Sequence, residues 1–519
     1  MKQPPSIRLN SSLEQPALSS RNSWYGIFFA ALLGALAPLG FAPLYWFPLT
    51  PLSLAALFWL WQHAANRLQA ATFGFAYGLG FFCVGVSWIY ISLHDYGAMP
   101  AVLAAIATFL LCAFLSLAPA LVGFFASLVA RGVVRRLVLI PALWVLMEWV
   151  RGWIFTGFPW LAVGYSQAPI GPLVGFAPLV GVYGVSLTVA VSAAILAEIA
   201  EGLRAAKFLR WRWVAGLTAL WMVGWGLQQI AWTHPVGTPV TVSLLQGNIP
   251  QELKWREDKM ISTLDTYRAM TLASTSRLII LPETAVPLFA DNVPQDFLAI
   301  LIAHARANQG DVLIGLPERI GVAEYYNSVL SFGTAPIQTY RKFHLVPFGE
   351  YIPMKPVFGW IINVLQIPLS DFSRGATIQK PMQIAGQNVA LNICYEDVFG
   401  EEIIRQLPAA TMLVNVSNDA WFGASSASRQ HLQISQMRAI ETGRYMLRAT
   451  NTGVTAIIDQ RGRVVQRVPE FVTTVLNGTA QGYQGMTPFA HWGNRVVLAM
   501  IALMLAAGII WQRRHGKTS

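Results

Sequence analysis

The sequence predicts a chain in two parts, a polytopic α-helical membrane domain and a layered α/β domain inserted before its last helix. Three observations predict this. The 519 residues are 55% hydrophobic and only 12% charged, with 19 tryptophans, a balance too apolar for a soluble chain of this length. Apolar runs that approach or exceed the roughly 20 residues needed to cross a bilayer recur up to residue 233 and return once near the end. Between Pro239 and about Met486 the texture changes to short β-branched runs separated by polar helical stretches.

The first apolar run begins near Trp24, too far in for a typical signal peptide and without a small-residue cleavage site, so it reads as a retained helix. Further runs lie at 48–62, 71–93, 99–128, 137–150, 171–199, 213–233 and 495–512, giving about eight transmembrane helices. The runs at 48–62 and 137–150 are short, and a re-entrant or buried helix is the alternative for each. Charge favours counting both. With a cytoplasmic N-terminus, the inside segments hold Lys2, Arg8 and Arg21, then Arg67, then Arg131, Arg135 and Arg136, then Arg204, Lys207, Arg210 and Arg212, and finally Arg513, Arg514 and Lys517. The intervening outside loops hold almost none, Arg151 being the exception, as the positive-inside rule requires. The predicted division is a cytoplasmic segment 1–23, a seven-helix membrane domain 24–233, an outer domain 234–494, a last spanning helix 495–512 and a cytoplasmic tail 513–519. The formal charge of +11 is thereby explained by topology, and nucleic-acid binding is excluded because no basic surface gathers in the outer domain.

Within that domain VTVSLLQ (240–246), RLIILPE (277–283), DVLIGLP (311–317), NSVLSF (327–332), NVALNIC (388–394) and TMLVNVS (411–417) read as strands. Residues 256–274, 294–308 and 428–448 read as helices. Strands mixed with helices over some 240 residues imply a layered α/β domain with buried sheets.

Of the three cysteines, Cys83 and Cys112 fall in spans and read as small core residues. Cys394 alone lies in the outer domain, at the head of the acidic turn in NICYEDVFGEE. With no partner on that side it cannot form an intramolecular disulfide, which leaves a working thiol or a buried inert one. A nucleophilic thiol needs a base and a group to stabilise an oxyanion. Glu283 in LPETAVP follows the apolar run LIIL and Lys342 in YRKFHLVPFGEYIP follows a probable strand, with Glu350 eight residues beyond the lysine. Loops at strand ends converge in α/β folds, so these groups can meet, although each singly reads as a solvated loop charge. The eight histidines show no ligand spacing, so no metal is expected.

PETAVP, YRKFHLVPFGEY and NICYEDVFGEE together resemble the nitrilase superfamily over roughly residues 240–480. The resemblance implies an αββα sandwich with Glu283 as general base, Lys342 holding the oxyanion and Cys394 as nucleophile, and it suggests the Tyr395 N–H as a second oxyanion donor. A fixed ammonium should also lower the cysteine pKa. Adding EWVRGWIFTGFPW (148–160), QGNIPQELKW (246–255), NVSNDAWFG (415–423) and RATNTGV (448–454), nearly the whole chain resembles the apolipoprotein N-acyltransferase family.

That wider resemblance implies transfer of an acyl chain from the sn-1 position of a phospholipid, phosphatidylethanolamine-like, to the α-amine of a diacylglyceryl-cysteine at the N-terminus of an apolipoprotein. The route would be ping-pong through a Cys394 thioester, without cofactor. It further implies a monomer in the bacterial inner membrane with its catalytic domain in the periplasm, and supporting roles for Trp255, Glu350, Tyr395 and Glu396. Glu350 would orient Lys342, while Tyr395 and Glu396 would shape the turn and Trp255 would pack near the membrane or handle substrate. Glu148 and Arg151, one helical turn apart, read as an ion pair at the outer end of the fifth span. The apolar stretch 357–369 reads as a lid dipping into lipid or as an internal helix, and Asn415 and Asn418 read as turn or cap residues. Two other function classes compete: a membrane-tethered amidase or nitrile hydrolase, and a non-enzymatic lipid-binding or transport protein. The first does not need eight spans, and the second predicts a broken triad.

Overall fold

The computed structural model describes residues 20–515 apart from 130, 205–210, 322–323, 354–355 and 357–370; the predicted lid at 357–369 lies outside the described residues. Helices stand at all eight places where apolar runs predict them: Ser20–Leu36, Leu49–His63, Arg67–Gly85, Ala101–Ala126, Ile140–Arg151, Ala177–Arg204, Trp211–Leu227 and Arg495–His515. Four segments are long and apolar enough to cross a membrane: Arg67–Gly85, Ala101–Ala126, Pro172–Arg204 and Arg495–Arg514.

Their surfaces are inverted relative to a soluble bundle. On Ala101–Ala126 the large apolar Val102, Ile106, Phe109, Leu110 and Leu117 face outward, while Thr108, Cys112 and Ser116 are buried. The two hydroxyls bond the carbonyls of Ala104 (2.8 Å) and Cys112 (2.6 Å) one turn back, so no polar group is left open to an apolar surround. Small residues let the helices approach. A Cβ on Gly34 would run into the Tyr77 carbonyl, and one on Gly80 into that of Ala31, which locks Ser20–Leu36 against Arg67–Gly85.

Residues 234–484 build two six-stranded sheets. The first contains β1 (His234–Gln246), β2 (Leu278–Ile280), β3 (Asp311–Ile320), β4 (Glu324–Gly333), β5 (Gln338–Arg341) and β12 (Thr474–Gln484), in the order β12-β1-β2-β3-β4-β5. The second contains β6 (Met382–Ile384), β7 (Gln387–Ile393), β8 (Met412–Ser417), β9 (Met446–Thr450), β10 (Ala456–Ile458) and β11 (Val464–Arg467), in the order β11-β10-β9-β8-β7-β6. In each sheet the central pairs, β1–β2–β3 and β7–β8–β9, are parallel. Their strand ends therefore point the same way.

Side-chain alternation explains the layering. Val240, Val242 and Leu244 of β1 meet Val389, Leu391 and Val414 of the opposite sheet in the core between the sheets. Leu245, Ile279 and Val312 point the other way, onto the helices Glu257–Leu272 and Gln295–Ala307. The far face of the second sheet receives the helix Ala427–Thr442, every residue of which is buried except Arg429. Its Ile434, Met437 and Ile440 join the apolar core of the membrane helices, while Leu432 and Ala439 pack on the sheet. The layers are thus helix, sheet, sheet, helix, with the last helix shared between the two parts of the chain.

That helix ends earlier than the sequence suggested. Gly443, with φ +64°, turns the chain out of the helix after Thr442, and Met446–Thr450 forms β9 between β8 and β10. The predicted helix 428–448 thus runs on into what is a buried strand.

The inter-sheet core predicts the cost of a void. Leu313→Ala, at a fully buried position between β2 and β4, should cost roughly 2–5 kcal/mol. The check is a clearly lower thermal midpoint for the detergent-solubilised variant than for the parent.

Candidate active site

Three strand ends converge. Glu283 follows β2 in the loop that begins at Leu281, Lys342 directly follows β5, and Cys394 directly follows β7. The Glu283 loop lies hard against β3, where a Cβ on Gly315 would collide with the carbonyl of Pro282 and the backbone of Glu283 and Thr284. Cys394 adopts φ +52°, a left-handed conformation that side-chain-bearing residues rarely hold without enforcement. The enforcement is visible. Its carbonyl accepts from Asn415 Nδ2 (3.1 Å) and lies 3.2 Å from His431 Nε2.

Around the sulfur the charges are closely balanced. Lys342 Nζ, 1% exposed, donates to Glu350 Oε1 at 2.9 Å and to Glu283 Oε1 at 3.4 Å. Asn327 Nδ2 bridges the same two carboxylates, at 2.7 Å to Glu283 and 2.9 Å to Glu350. The other Glu283 oxygen accepts from the Asn418 N–H at 2.9 Å, and the Glu283 charge acts on the Cys394 thiol. Glu350 Oε2 accepts from the Val346 N–H at 2.9 Å, which closes the loop after Lys342 onto itself.

A second lysine enters from the loop after β1. Lys254, buried, donates to the Glu283 carbonyl at 3.1 Å. The sequence expectation favoured its neighbour Trp255, which is only partly buried and makes no hydrogen bond or ring contact among the described residues. The structure brings Glu283, Lys342, Cys394 and Glu350 together as expected, and adds Asn327, Asn418 and Lys254. Asn418 and Lys254 lie in motifs quoted above and Asn327 in none, but a place at the site was read for none of the three, because their meaning depends on contacts made from other strands.

Electrostatics fixes the resting protonation. Burial pushes the Glu283 carboxyl up, but Lys342 and Lys254 outweigh it and hold the group below its ordinary range, so it is ionised. Burial would discharge Lys342, yet Glu350 and Glu283 keep it charged far above its usual range. Lys254 has less support and is drawn down by burial to about 8. The thiol of Cys394 is pushed well above its ordinary value by burial and by Glu283, against which Lys342 pulls the other way. The lysine pulls the thiol down as expected, but it is outweighed, and the net shift is upward where a lowered cysteine pKa was expected. A pocket holding two ammoniums and two carboxylates is already neutral, and a thiolate would leave it with an uncompensated charge.

The turn after Cys394 is clamped by Glu396. Its Oε2 accepts from the Ile393 N–H (2.7 Å) and Tyr340 Oη (3.0 Å), and its Oε1 from the N–H groups of Phe343 (2.7 Å) and His344 (3.1 Å). One carboxylate therefore ties the Cys394 turn to the segment that follows Lys342. Burial pushes it up to about 7 despite those bonds. Tyr395 turns away from the sulfur, its hydroxyl donating to the Gly157 carbonyl at 3.0 Å. His344 reaches the same loop, with Nε2 2.8 Å from the Thr156 carbonyl.

The two parts of the chain are also keyed by Gln430, which accepts from Trp88 (3.1 Å) and Trp160 (2.7 Å), and by Glu441, which accepts from the Val182 N–H (2.7 Å). Glu148 and Arg151 do not form the expected ion pair. Glu148 accepts from Trp144 (3.0 Å) and the Val163 N–H (2.9 Å), and Arg151 donates to the carbonyls of Phe158 (2.7 Å) and Trp160 (2.6 Å), so both hold the 158–163 loop. Asn418 serves the site through its N–H, beyond the turn role expected of it. A cavity of about 430 Å³ opens at the junction beside Trp149, Trp153, His344 and Phe399; Cys394, Glu283 and Lys342 do not line it.

Comparison with known proteins accounts for both parts. Residues 33–195 match the model of the apolipoprotein N-acyltransferase N-terminal domain, and residues 241–483 match that of carbon-nitrogen hydrolases. A protein of Nitrosomonas europaea described as apolipoprotein N-acyltransferase is 56% identical over 94% of this chain and 97% of its own. Proteins of the same description from Methylococcus capsulatus and Ralstonia nicotianae are each 45% identical, over 94% of this chain and over 96% and 94% of theirs. The chain belongs to the apolipoprotein N-acyltransferase family.

Proposed function

We propose that this acyltransferase carries a fatty acyl chain from the sn-1 ester of a phospholipid to the α-amine of an S-diacylglyceryl cysteine at the N-terminus of an apolipoprotein, through a thioester on Cys394. The observation that carries the reading is the protonated thiol set against an ionised carboxylate beside a buried ammonium.

In the first half-reaction Cys394 Sγ attacks the ester carbonyl carbon while its proton passes to Glu283. The negative charge then resides on the carbonyl oxygen, where Lys342 and the Tyr395 N–H stabilise it, fixed in place before the reaction begins. Collapse breaks the bond to the glycerol oxygen, which leaves as a lysophospholipid with the proton held by Glu283. In the second half-reaction the acceptor amine attacks the thioester, Glu283 takes the amine proton, and Cys394 departs and is reprotonated. An amide replaces a thioester, so the transfer runs downhill without a cofactor. Glu350 and Asn327 act by holding Lys342 and Glu283 in position. Trp255 and Tyr395 are assigned to the walls of the substrate path, and Glu396 to the nucleophile turn.

The setting in the membrane follows from the charge pattern. We place all eight apolar helices across the bacterial inner membrane, with 1–23 and 513–519 in the cytoplasm and 234–494 in the periplasm. The shared helix Ala427–Thr442 supports this reading because it seats the nucleophile turn directly on the membrane helices. A monomer suffices, since every group assigned a role belongs to one chain.

Three outcomes test the reading. Incubation with a fluorescent-tailed phospholipid should leave a hydroxylamine-sensitive label on the parent protein and none on Cys394→Ser; a label on neither contradicts it. Because the base is held below its unperturbed value of 4.5, the ionised form is lost only as pH falls through that lower value. Glu283 should therefore still be ionised at pH 5, read as a carboxylate band in the infrared difference between the parent and Glu283→Gln, and a band lost between pH 7 and 5 contradicts the assignment. Gly315→Ala, by displacing the Glu283 loop, should slow thioester formation by on the order of a hundredfold while the protein remains folded by circular dichroism.

A further inference from the structure

Behind the nucleophile lies a buried cluster that the reaction above does not use. His431, 1% exposed, points Nδ1 at Asp419 Oδ1 (3.1 Å) and Nε2 at Asp397 Oδ1 (2.8 Å), with Nε2 also 3.2 Å from the Cys394 carbonyl. Arg448 completes the group, donating to Asp419 Oδ2 (2.8 Å) and lying 3.6 Å from Asp397 Oδ2. Ser417 and Ser435 donate to the two aspartates at 2.7 and 2.5 Å. Asp397, Asp419 and Arg448 are the charged side chains that face the ring among the described residues.

A neutral imidazole donates through one nitrogen and presents a lone pair at the other. Here that lone pair would oppose a carboxylate oxygen whichever tautomer is chosen. Two aspartates facing one arginine also leave a buried negative charge that only a second cation balances. Both arguments require the doubly protonated ring. The electrostatics agree: burial and Arg448 push the ring toward neutrality, but Asp397 and Asp419 prevail and raise it to about 9. Trp160, from the loop joining the membrane helices, packs over it with ring centres 5.5 Å apart.

The placement matters because of what the ring touches. The peptide that joins Cys394 to Tyr395 is held in the left-handed region, with its carbonyl bound by Asn415 and abutted by His431. A donor on a peptide oxygen polarises that peptide and makes its N–H a stronger donor. The N–H at the far end of this peptide belongs to Tyr395. The cation is also paired with Asp419, whose charge raises the thiol.

We propose that His431 is a positioning residue for acyl transfer: its imidazolium, clamped between Asp397 and Asp419, fixes the strained Cys394 backbone and polarises the Cys394–Tyr395 peptide toward the oxyanion. The inference rests on the thioester reading for the identity of the step it assists. It assigns to the buried ring a charge that persists through the neutral range and is lost as pH rises through about 9.

The test uses the full-length protein in nanodiscs with ring-¹⁵N histidine. The signal missing from His431→Gln should show both nitrogens protonated at pH 7, and Asp397→Asn should lower its titration midpoint by a unit or more. Thioester formation in His431→Gln should fall roughly ten- to a hundredfold, less than the loss of a direct oxyanion donor. In Asp397→Asn the rate relative to the parent should decline with pH through the variant's own histidine midpoint. A neutral ring at pH 7, a parental rate in His431→Gln, or a rate ratio in Asp397→Asn independent of pH each overturns the proposal. Where His431→Gln does not fold, the parent spectrum and Asp397→Asn decide. Labelling that survives in Cys394→Ser would overturn the thioester reading and leave the histidine spectrum still informative.

Discussion

The architecture of the site depends on one ammonium buried between two carboxylates. Lys342 is 1% exposed, and an isolated charge at that depth would give up its proton. Glu350 and Glu283 prevent this, and Lys342 in turn holds Glu283 ionised beside a neutral thiol. Glu283, Lys342 and Cys394 each follow a different strand, so the sandwich must be correctly assembled before any of the three has the right protonation state. Asn327 then fixes the spacing by donating to both carboxylates at once. Removing either acid would leave a buried cation short of a partner, a costly state in a low-dielectric interior.

The second constraint is mechanical. The nucleophile turn is held from four directions: by Glu396 within the turn, by Asn415 from the neighbouring strand, by His431 from the shared helix, and by Tyr395 reaching the Gly157 carbonyl in the membrane half. Backbone strain such as the φ of Cys394 survives only where surrounding contacts over-determine it. Some of those contacts come from the membrane side, through Trp160 on His431 and through Gln430 between Trp88 and Trp160. The catalytic domain is therefore not merely tethered to its helices, since the geometry behind the sulfur is completed by them.

Much of this was legible in the sequence, and the reasons are specific. Glu283 and Cys394 each follow an apolar, β-branched run and Lys342 a probable strand, so their place at strand ends could be read directly. All eight apolar helices appeared where hydropathy put them, because side chains facing lipid and side chains buried among helices are both apolar. The boundary at Gly443 was missed because RYMLRAT continues a helical pattern while the buried strand it forms is dictated by β8 and β10. Asn327 read as an ordinary polar residue in a strand; its function lies in carboxylates 44 and 23 residues away. Lys254 was passed over beside a more conspicuous tryptophan. His431 was weighed only as a metal ligand, and its two aspartates, 34 and 12 residues away, became visible as partners only in three dimensions. The direction of the Cys394 shift was misjudged for a related reason: the sequence shows the lysine but not the depth of burial.

At the centre of this account is a resting state in which the nucleophile keeps its proton and the neighbouring carboxylate is already charged. Infrared spectroscopy reads both groups directly. The difference spectrum between the parent and Cys394→Ser at neutral pH should contain an S–H stretch, and that between the parent and Glu283→Gln an ionised carboxylate. An absent S–H band, revealing a preformed thiolate, or a protonated Glu283 carboxyl, would contradict it.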